Sequence, residues 1–327
     1  MHRLIRTRES ATGGLIGALL QSHFYPVDTI IAYSNDAKEN LLGVPSSVLA
    51  AGAVSEVVAK LMLPTCGEAI SVTGHAGLSA RNPDAFGKDQ TGKDEKISFV
   101  GAATSRGSQL ESNIERVIID EEDKMNGESR RFGQKFLANK AIQNYARLSN
   151  SQNLMSVEPR SFNMISREAH LALYEMKRIC EDSYHFAVHE EGRLCVVQQA
   201  IVSIPYASGF YKGGRLISPR LAATGMAPEE IEAYAVDAAV RIRADFSATI
   251  GLSVLYEHGL IAVCYTSRGT KDTVTKTMNT YSRKASTMQY MAISAARDVA
   301  RDLAEPLHPL NISSLVGSPA IYLGRLR

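Results

Sequence analysis

The sequence is short of cysteine, of net charge and of long apolar runs, and each shortage removes a class of protein. Four cysteines in 327 residues (Cys66, Cys180, Cys195 and Cys264) lie far apart with no Cys-x-x-Cys pair. That spacing argues against a disulfide framework or a zinc knot and for reduced thiols in a core. A formal charge of +2 supplies no global field that would draw nucleic acid or anionic lipid. No segment approaches the ~20 apolar residues of a membrane span. The basic start, residues 1–8, meets Glu9 and only a short apolar stretch at 15–20, a poor signal peptide, so the expected location is cytoplasmic. What is present is a globular balance, 45% hydrophobic and 21% charged residues, in a chain long enough for two cores.

Periodicity predicts an α/β protein. In the first half, strands are expected at 2–7, 29–33, 69–73, 97–103 and 114–120, rich in β-branched residues. Helices are expected at 13–22, 36–42, after the capping Ser55 as far as Met62, and at 128–148. A polar stretch, 151–165, carries Pro159 and reads as a linker. The order then repeats: helix 166–181, strand 184–188, helix 193–203, strand near 215–217, helix 228–244, strands 247–255 and 260–266, helix 283–303. Residues 305–327 form a tail without a periodic face. Two domains are therefore expected, 1–150 and 166–304, and a faint collinear match suggests a diverged tandem duplication. Residues 210–214 stand where the first half has 24–29, Met226-Ala227-Pro228-Glu229-Glu230 against Ala53-Val54-Ser55-Glu56, and residues 247–251 against 69–74.

The sharpest local signal is Glu9-Ser10-Ala11-Thr12-Gly13-Gly14, between a strand and a helix. A serine there holds its hydroxyl clear of the sheet, and the first-turn amides of Thr12, Gly13 and Gly14 can receive an oxyanion or a phosphate. The alternative is a capped helix start with small residues for close packing. Tyr33-Ser34-Asn35-Asp36-Ala37-Lys38 follows the next strand. If both segments end at one sheet edge, a desolvated Lys38 can act as base for Ser10; otherwise it is a solvated lysine.

These blocks, with Leu42-Gly43-Val44, Gly52-Ala53-Val54-Ser55-Glu56 and Val72-Thr73-Gly74-His75-Ala76-Gly77, resemble the signature blocks of the CinA C-terminal family, which includes nicotinamide mononucleotide (NMN) amidohydrolases. The resemblance covers about residues 1–150 and, much more loosely, 166–303. It implies two tandem three-layer α/β/α domains and conversion of NMN to nicotinic acid mononucleotide with release of ammonia. It further implies Ser10 as nucleophile, Lys38 as base and Tyr33 assisting. The substrate would lie against Thr12, Gly13, Gly14, Asn35, Thr73 and Gly74, with Arg130 or Arg131 on the phosphate. No metal or organic cofactor is implied. The sequence departs from the family at Asp28-Thr29, where a double glycine is usual, and in the pocket loop, replaced by residues 78–95. The altered loop, with the family's opening helix not found before the first expected strand, motivates a competing reading as a nucleotide-binding protein without turnover, and the loop alone motivates an amidohydrolase of another substrate. In the second half Glu191 falls at the nucleophile position and residues 217–222 replace the tyrosine-to-lysine block. That half reads as a non-catalytic partner forming a pseudo-dimer with the first.

Three further signals carry less. Residues 87–93 fit Gly-x4-Gly-Lys, but Asp94 stands where a P-loop needs Ser or Thr. His185 and His189 have the spacing of a helical metal pair, yet Phe186-Ala187-Val188 between them reads as strand. Residues 120–123 are a solvated acidic turn.

Overall fold

The computed structural model describes residues 3–65, 67–74, 87–88, 94–106, 109–119, 129–155, 167–180, 184–192, 195–204, 207–218, 226–266, 273–280 and 284–304. The first half runs β1 (Ile5–Glu9), α1 (Leu15–Ser22), β2 (Val27–Ala32), α2 (Asn35–Leu42), α3 (Ser46–Ala51), α4 (Glu56–Met62), β3 (Glu68–Gly74), β4 (Gly87–Lys88), β5 (Asp94–Arg106), β6 (Gln109–Ile119) and α5 (Ser129–Ser149). The second runs α6 (Arg167–Cys180), β7 (Phe186–Glu191), α7 (Val196–Ser203), β8 (Tyr211–Ile217), α8 (Pro228–Asp245), β9 (Ile250–Leu255), β10 (Leu260–Thr266), β11 (Thr273–Asn279) and α9 (Ala285–Ala304). Ser34 and Ser55 start α2 and α4 by accepting from the amides of Ala37 and Val58. No helix among the described residues is long and apolar enough to cross a membrane.

One sheet passes through both halves, in the order β11-β10-β9-β7-β8-β2-β1-β3-β5-β4, with β6 also on β5. The seam is the antiparallel pair β2–β8, joining strands far apart in the chain. Its register has two-fold character. Glu9 lies opposite Ile31 and Glu190 opposite Leu216 in the two parallel pairs. Matching Glu9 to Glu190 then matches Ile31 to Leu216 and Thr29 to Gly214. Across the seam Ile31 faces Gly214, Thr29 faces Leu216, and Ile30 faces Arg215 at the centre. The first two pairs exchange under rotation, as an isologous interface requires. The same register sets β9 against β3 with Ile250 at Glu68, so residues 247–251 do not stand at 69–74 as the sequence comparison placed them.

Helices cover both faces. Leu137, Ala141 and Ile142 of α5 join Ile16 and Leu19 of α1 over Ile70, Val72, Val100 and Val117. Helices α6, α7 and α9 continue that layer over the second half, and its core takes in Ala18 and Ile31 from the first. On the other face Ala37 of α2 meets Ile242 and Phe246 of α8 over Ile30, Ala32 and Ala187. The halves are thus fused through sheet and core. A linear reading gives each half its layers but not their common sheet.

The two glycines that open α1 lie in this junction. A Cβ on Gly13 would lie 2.2 Å from Val202 Cγ2, and one on Gly14 2.4 Å from Cys195 Sγ. Gly14 also has φ +88°. Gly14→Ala is expected to destabilise the chain by about 2–4 kcal/mol, from left-handed strain plus overpacking. Gly43→Ala, at φ +68° with nothing within 4 Å, should cost only about 1 kcal/mol. Equal denaturant midpoints for the two variants would contradict the close approach of α7.

Candidate functional site

Strand β1 sends its chain to α1 on one face, and β2 sends its chain to α2 on the other. Parallel neighbours whose connections part in this way leave a crevice at their carboxyl ends. Ser10 and the segment 33–38 flank it.

The turn carrying Ser10 is organised by the residue before it. Glu9 is fully buried, and its carboxylate accepts five hydrogen bonds. Oε2 takes Thr12 Oγ1 at 2.7 Å, Gly14 N at 2.9 Å and Ile16 N at 3.2 Å. Oε1 takes Thr7 Oγ1 and Gly17 N, each at 3.0 Å. A buried carboxylate is costly in the absence of such partners, and these donors include amides that a helix start leaves unsatisfied. Burial still dominates and raises the Glu9 pKa against the pull of its donors.

Ser10 extends the ladder by one residue, donating its amide to Val72 O at 3.0 Å. Strand alternation carries its side chain to the face of Arg8, Ser71 and Thr73, where α2–α4 pack. The amides of Ala11, Thr12 and Gly13 have no hydrogen-bond partner among the described residues. The expectation for Gly14 is corrected: its amide is taken by Glu9 and its α-carbon is packed against Cys195, so it serves the turn and the junction. An oxyanion would find the two preceding first-turn amides instead.

Lys38 is 4% exposed on α2, and no ion pair or hydrogen bond of its ammonium group occurs among the described residues. Desolvation alone brings its pKa from 10.5 to about 8. Ser10 Oγ and Lys38 Nζ do not hydrogen bond each other in this structure. The turn before Lys38 rests on the second half. Ser34 N donates to Lys212 O at 3.1 Å, Lys212 Nζ pairs with Asp36 Oδ2 at 2.9 Å, and the Tyr33 ring lies 5.6 Å from that of Tyr211. Asn35 opens α2 between those two anchors.

The remaining expected residues are dispersed. Thr73 lies beside Ser10 on the same face, and its hydroxyl donates to Ala53 O at 2.9 Å, holding the α3–α4 connection. Gly74 sits where any Cβ would meet Ser98 of β5 at 2.1–2.7 Å. Arg131 starts α5, in the layer opposite α2; the side chain of Arg130 and residues 75–86 and 89–93 of the pocket loop lie outside the described residues. Glu9, Tyr211 and Lys212 were not assigned roles from sequence. Glu9 stood inside the quoted motif and the other two inside the repeat match at 210–214, which carried no sign of a role at the first half's site.

The second half has the same helix-capping device followed by a different residue. Glu190 accepts from Val197 N, Gln198 N and the hydroxyl of Tyr256. Glu191, where the first half has Ser10, hydrogen bonds with Tyr234 of α8. His189 beneath it is buried and held neutral, its pKa lowered to about 4 by desolvation.

Two variants test this arrangement by stability alone. Glu9→Leu strands three amides and two hydroxyls, and should cost more than about 4 kcal/mol or prevent folding. Lys38→Met should do the reverse. A drop in pKa from 10.5 to about 8 is a penalty of about 3 kcal/mol on the charged amine. That penalty is complete below pH 8 and relieved as pH rises to 10.5, because the unfolded chain binds the proton more tightly. Denaturant titrations should show Lys38→Met more stable than wild type at pH 7 and the gap closing by pH 10. A gap independent of pH would mean Lys38 is solvated.

Comparison with known proteins places these motifs. The CinA C-terminal domain family matches residues 2–89. A CinA-like protein of Mycolicibacterium gilvum is 44% identical over 92 residues, 25% of this chain and 22% of that protein. A CinA-like protein of Salinibacter ruber is 42% identical over 91 residues, 24% of this chain and 22% of that one. The chain thus spans about a fifth of the length of the curated relatives it matches. Among solved structures, the competence/damage inducible protein CihA from Agrobacterium tumefaciens aligns over 43% of this chain and 84% of that chain, at 26% identity and a TM-score of 0.32. Over residues 2–89 the chain is therefore similar to the CinA C-terminal domain family.

Proposed function

We propose that the first half is an amidohydrolase that converts NMN to nicotinic acid mononucleotide and ammonia, using Ser10 and Lys38. The reading is supported by the family match and carried by one observation. Lys38 is a buried amine with no ion pair among the described residues and a pKa near 8, on the helix that follows β2, the neighbour of the strand that leads into Ser10. Uncompensated burial of a cation costs stability, and groups perturbed in this way cluster at functional sites.

In this mechanism Ser10 Oγ attacks the carboxamide carbon while neutral Lys38 takes the hydroxyl proton. Negative charge on the former carbonyl oxygen falls to the amides of Thr12 and Gly13. Collapse breaks the C–N bond, the proton passes from Lys38 to the leaving nitrogen, and ammonia departs. Water, deprotonated by the same amine, then releases the acid from Ser10. Tyr33, Asn35, Thr73 and Gly74 line the nucleotide, and Arg130 or Arg131 meets its phosphate. No metal or organic cofactor enters. We also take the two-fold register at the seam as the trace of a tandem duplication, the second copy serving as a pseudo-dimeric partner in place of a second subunit.

A second reading, nucleotide binding without turnover, is favoured by the absence of a Ser10–Lys38 hydrogen bond. One experiment separates the two. Ammonia release from NMN by the full chain should disappear in Ser10→Ala. It should fall at least about 100-fold in Lys38→Met, within the range general-base catalysis contributes. The wild-type kcat/KM should rise with pH through about 8, since only the neutral amine accepts the proton. Saturable NMN binding with no ammonia from wild type would establish the binding protein instead.

A further inference from the structure

The two parallel pairs β1–β2 and β7–β8 match residue for residue except at one place. In the first, Ile5 pairs with Val27 and Arg6 with Asp28. In the second, Phe186 pairs with Tyr211 but Ala187 pairs with Gly213, so Lys212 is an extra, bulged residue. A bulge leaves the inserted residue out of the ladder, turns the strand and re-aims a side chain, and such bulges concentrate next to active sites.

This bulge is aimed at the other half. The displaced carbonyl of Lys212 accepts from Ser34 N at 3.1 Å, the amide at the N-cap of α2. Its side chain, 18% exposed, reaches Asp36 Oδ2 at 2.9 Å in the first turn of the same helix. The following Gly213, at φ +141°, lets the strand return to the seam where a Cβ would lie 2.0 Å from Ile31 O. Tyr211, just before the bulge, is fully buried and packs beside Tyr33. Lys212 therefore grips the helix start that carries Lys38 from both backbone and side chain, and the first half has no residue at the equivalent place to reciprocate.

We propose that Lys212 is a positioning residue of the first half's site. Its bulge clamps the Tyr33–Asp36 turn and so fixes Lys38 in the crevice beside Ser10. The catalytic consequence rests on the amidohydrolase reading; the clamp itself does not. On this view the second half, having no nucleophile, has become part of the first half's active-site wall.

The test uses the full chain in four forms: wild type, Lys212→Met, Lys212→Arg and Lys38→Met. Amide hydrogen exchange is followed by mass spectrometry on peptides covering residues 33–38, with peptides of α9 as an internal standard. Lys212→Met should exchange at least about fivefold faster at 33–38 with α9 unchanged, and Lys212→Arg should restore protection. With NMN as substrate, Lys212→Met should lower kcat about tenfold while KM moves less than twofold, and Lys212→Arg should recover most of the loss. Identical exchange at 33–38 in wild type and Lys212→Met overturns the proposal whatever the kinetics. Faster exchange at 33–38 together with an undiminished kcat overturns the positioning role. If wild type and Lys38→Met alike release no ammonia, the amidohydrolase reading fails, and the exchange data still decide whether the clamp exists.

Discussion

The structure is organised around a carboxylate that ends a central strand and caps the helix that follows. Glu9 gathers three amides and two hydroxyls in a place from which water is excluded. Its burial is unfavourable by itself, so the turn is held to one geometry, the one in which every donor reaches an oxygen. That constraint has two consequences. The first-turn amides taken up by Glu9 begin at Gly14, which leaves those of Thr12 and Gly13 for something else. The backbone of Ser10 is also held between Glu9 and the turn that Glu9 caps, while its hydroxyl makes no hydrogen bond among the described residues.

The same device at Glu190 shows which requirement is structural and which chemical. Both halves keep the strand-terminal glutamate and the helix it caps, since losing either would leave buried amides unpaired. They differ at the next residue, Ser10 against Glu191, and in what lies over it. In the second half α8, eighteen residues long, takes the place of the short α2–α4 group, and its Tyr234 hydrogen bonds with Glu191. The fold tolerates that exchange because the residue after the cap points to the opposite face from the helix being capped.

How much of this could be read from the chain follows from the range of the forces involved. The strands and helices with a clear period, such as β2, α8 and β10, lie within a few residues of their expected places. Three elements were missed, α3, the two-residue β4 and β11. Six residues of Ser-Ser-Val-Leu-Ala-Ala are too few to show a helical face. Thr273–Asn279 alternates threonine with residues that are all half-buried or exposed, as an outer strand of a sheet does. The Ser10 turn was legible because the capping, the glycines and the hydroxyl sit within six positions. The shared sheet was not, because pairing of Thr29 with Leu216 depends on two halves already folded. Glu9 shows a subtler failure. A carboxylate at a strand end looks like a residue meeting solvent, whereas Glu9 is fully buried beside a junction where α7 packs on Gly13 and Gly14.

On the proposed function, the seam also accounts for chemistry in one half only. Two-fold pairing gives each half an equal claim on the junction, and the Ile30–Arg215 pair at its centre shows the first loss of equivalence, an apolar residue facing a cation. The bulge at Lys212 enlarges that asymmetry in one direction. An extra residue in β8 presents a carbonyl and an ammonium group to α2, whereas β2 has no extra residue to present to the second half. A duplicated chain can vary its copies independently, which an assembly of identical subunits cannot, because any substitution there appears on both sides of the axis. On the proposed duplication, one copy is then free to cover its own crevice with α8 and Tyr234 and to turn its strand toward its neighbour. Lys38 is buried at a stability cost, and the turn that leads to it is held by Lys212 of the second half across the shared sheet.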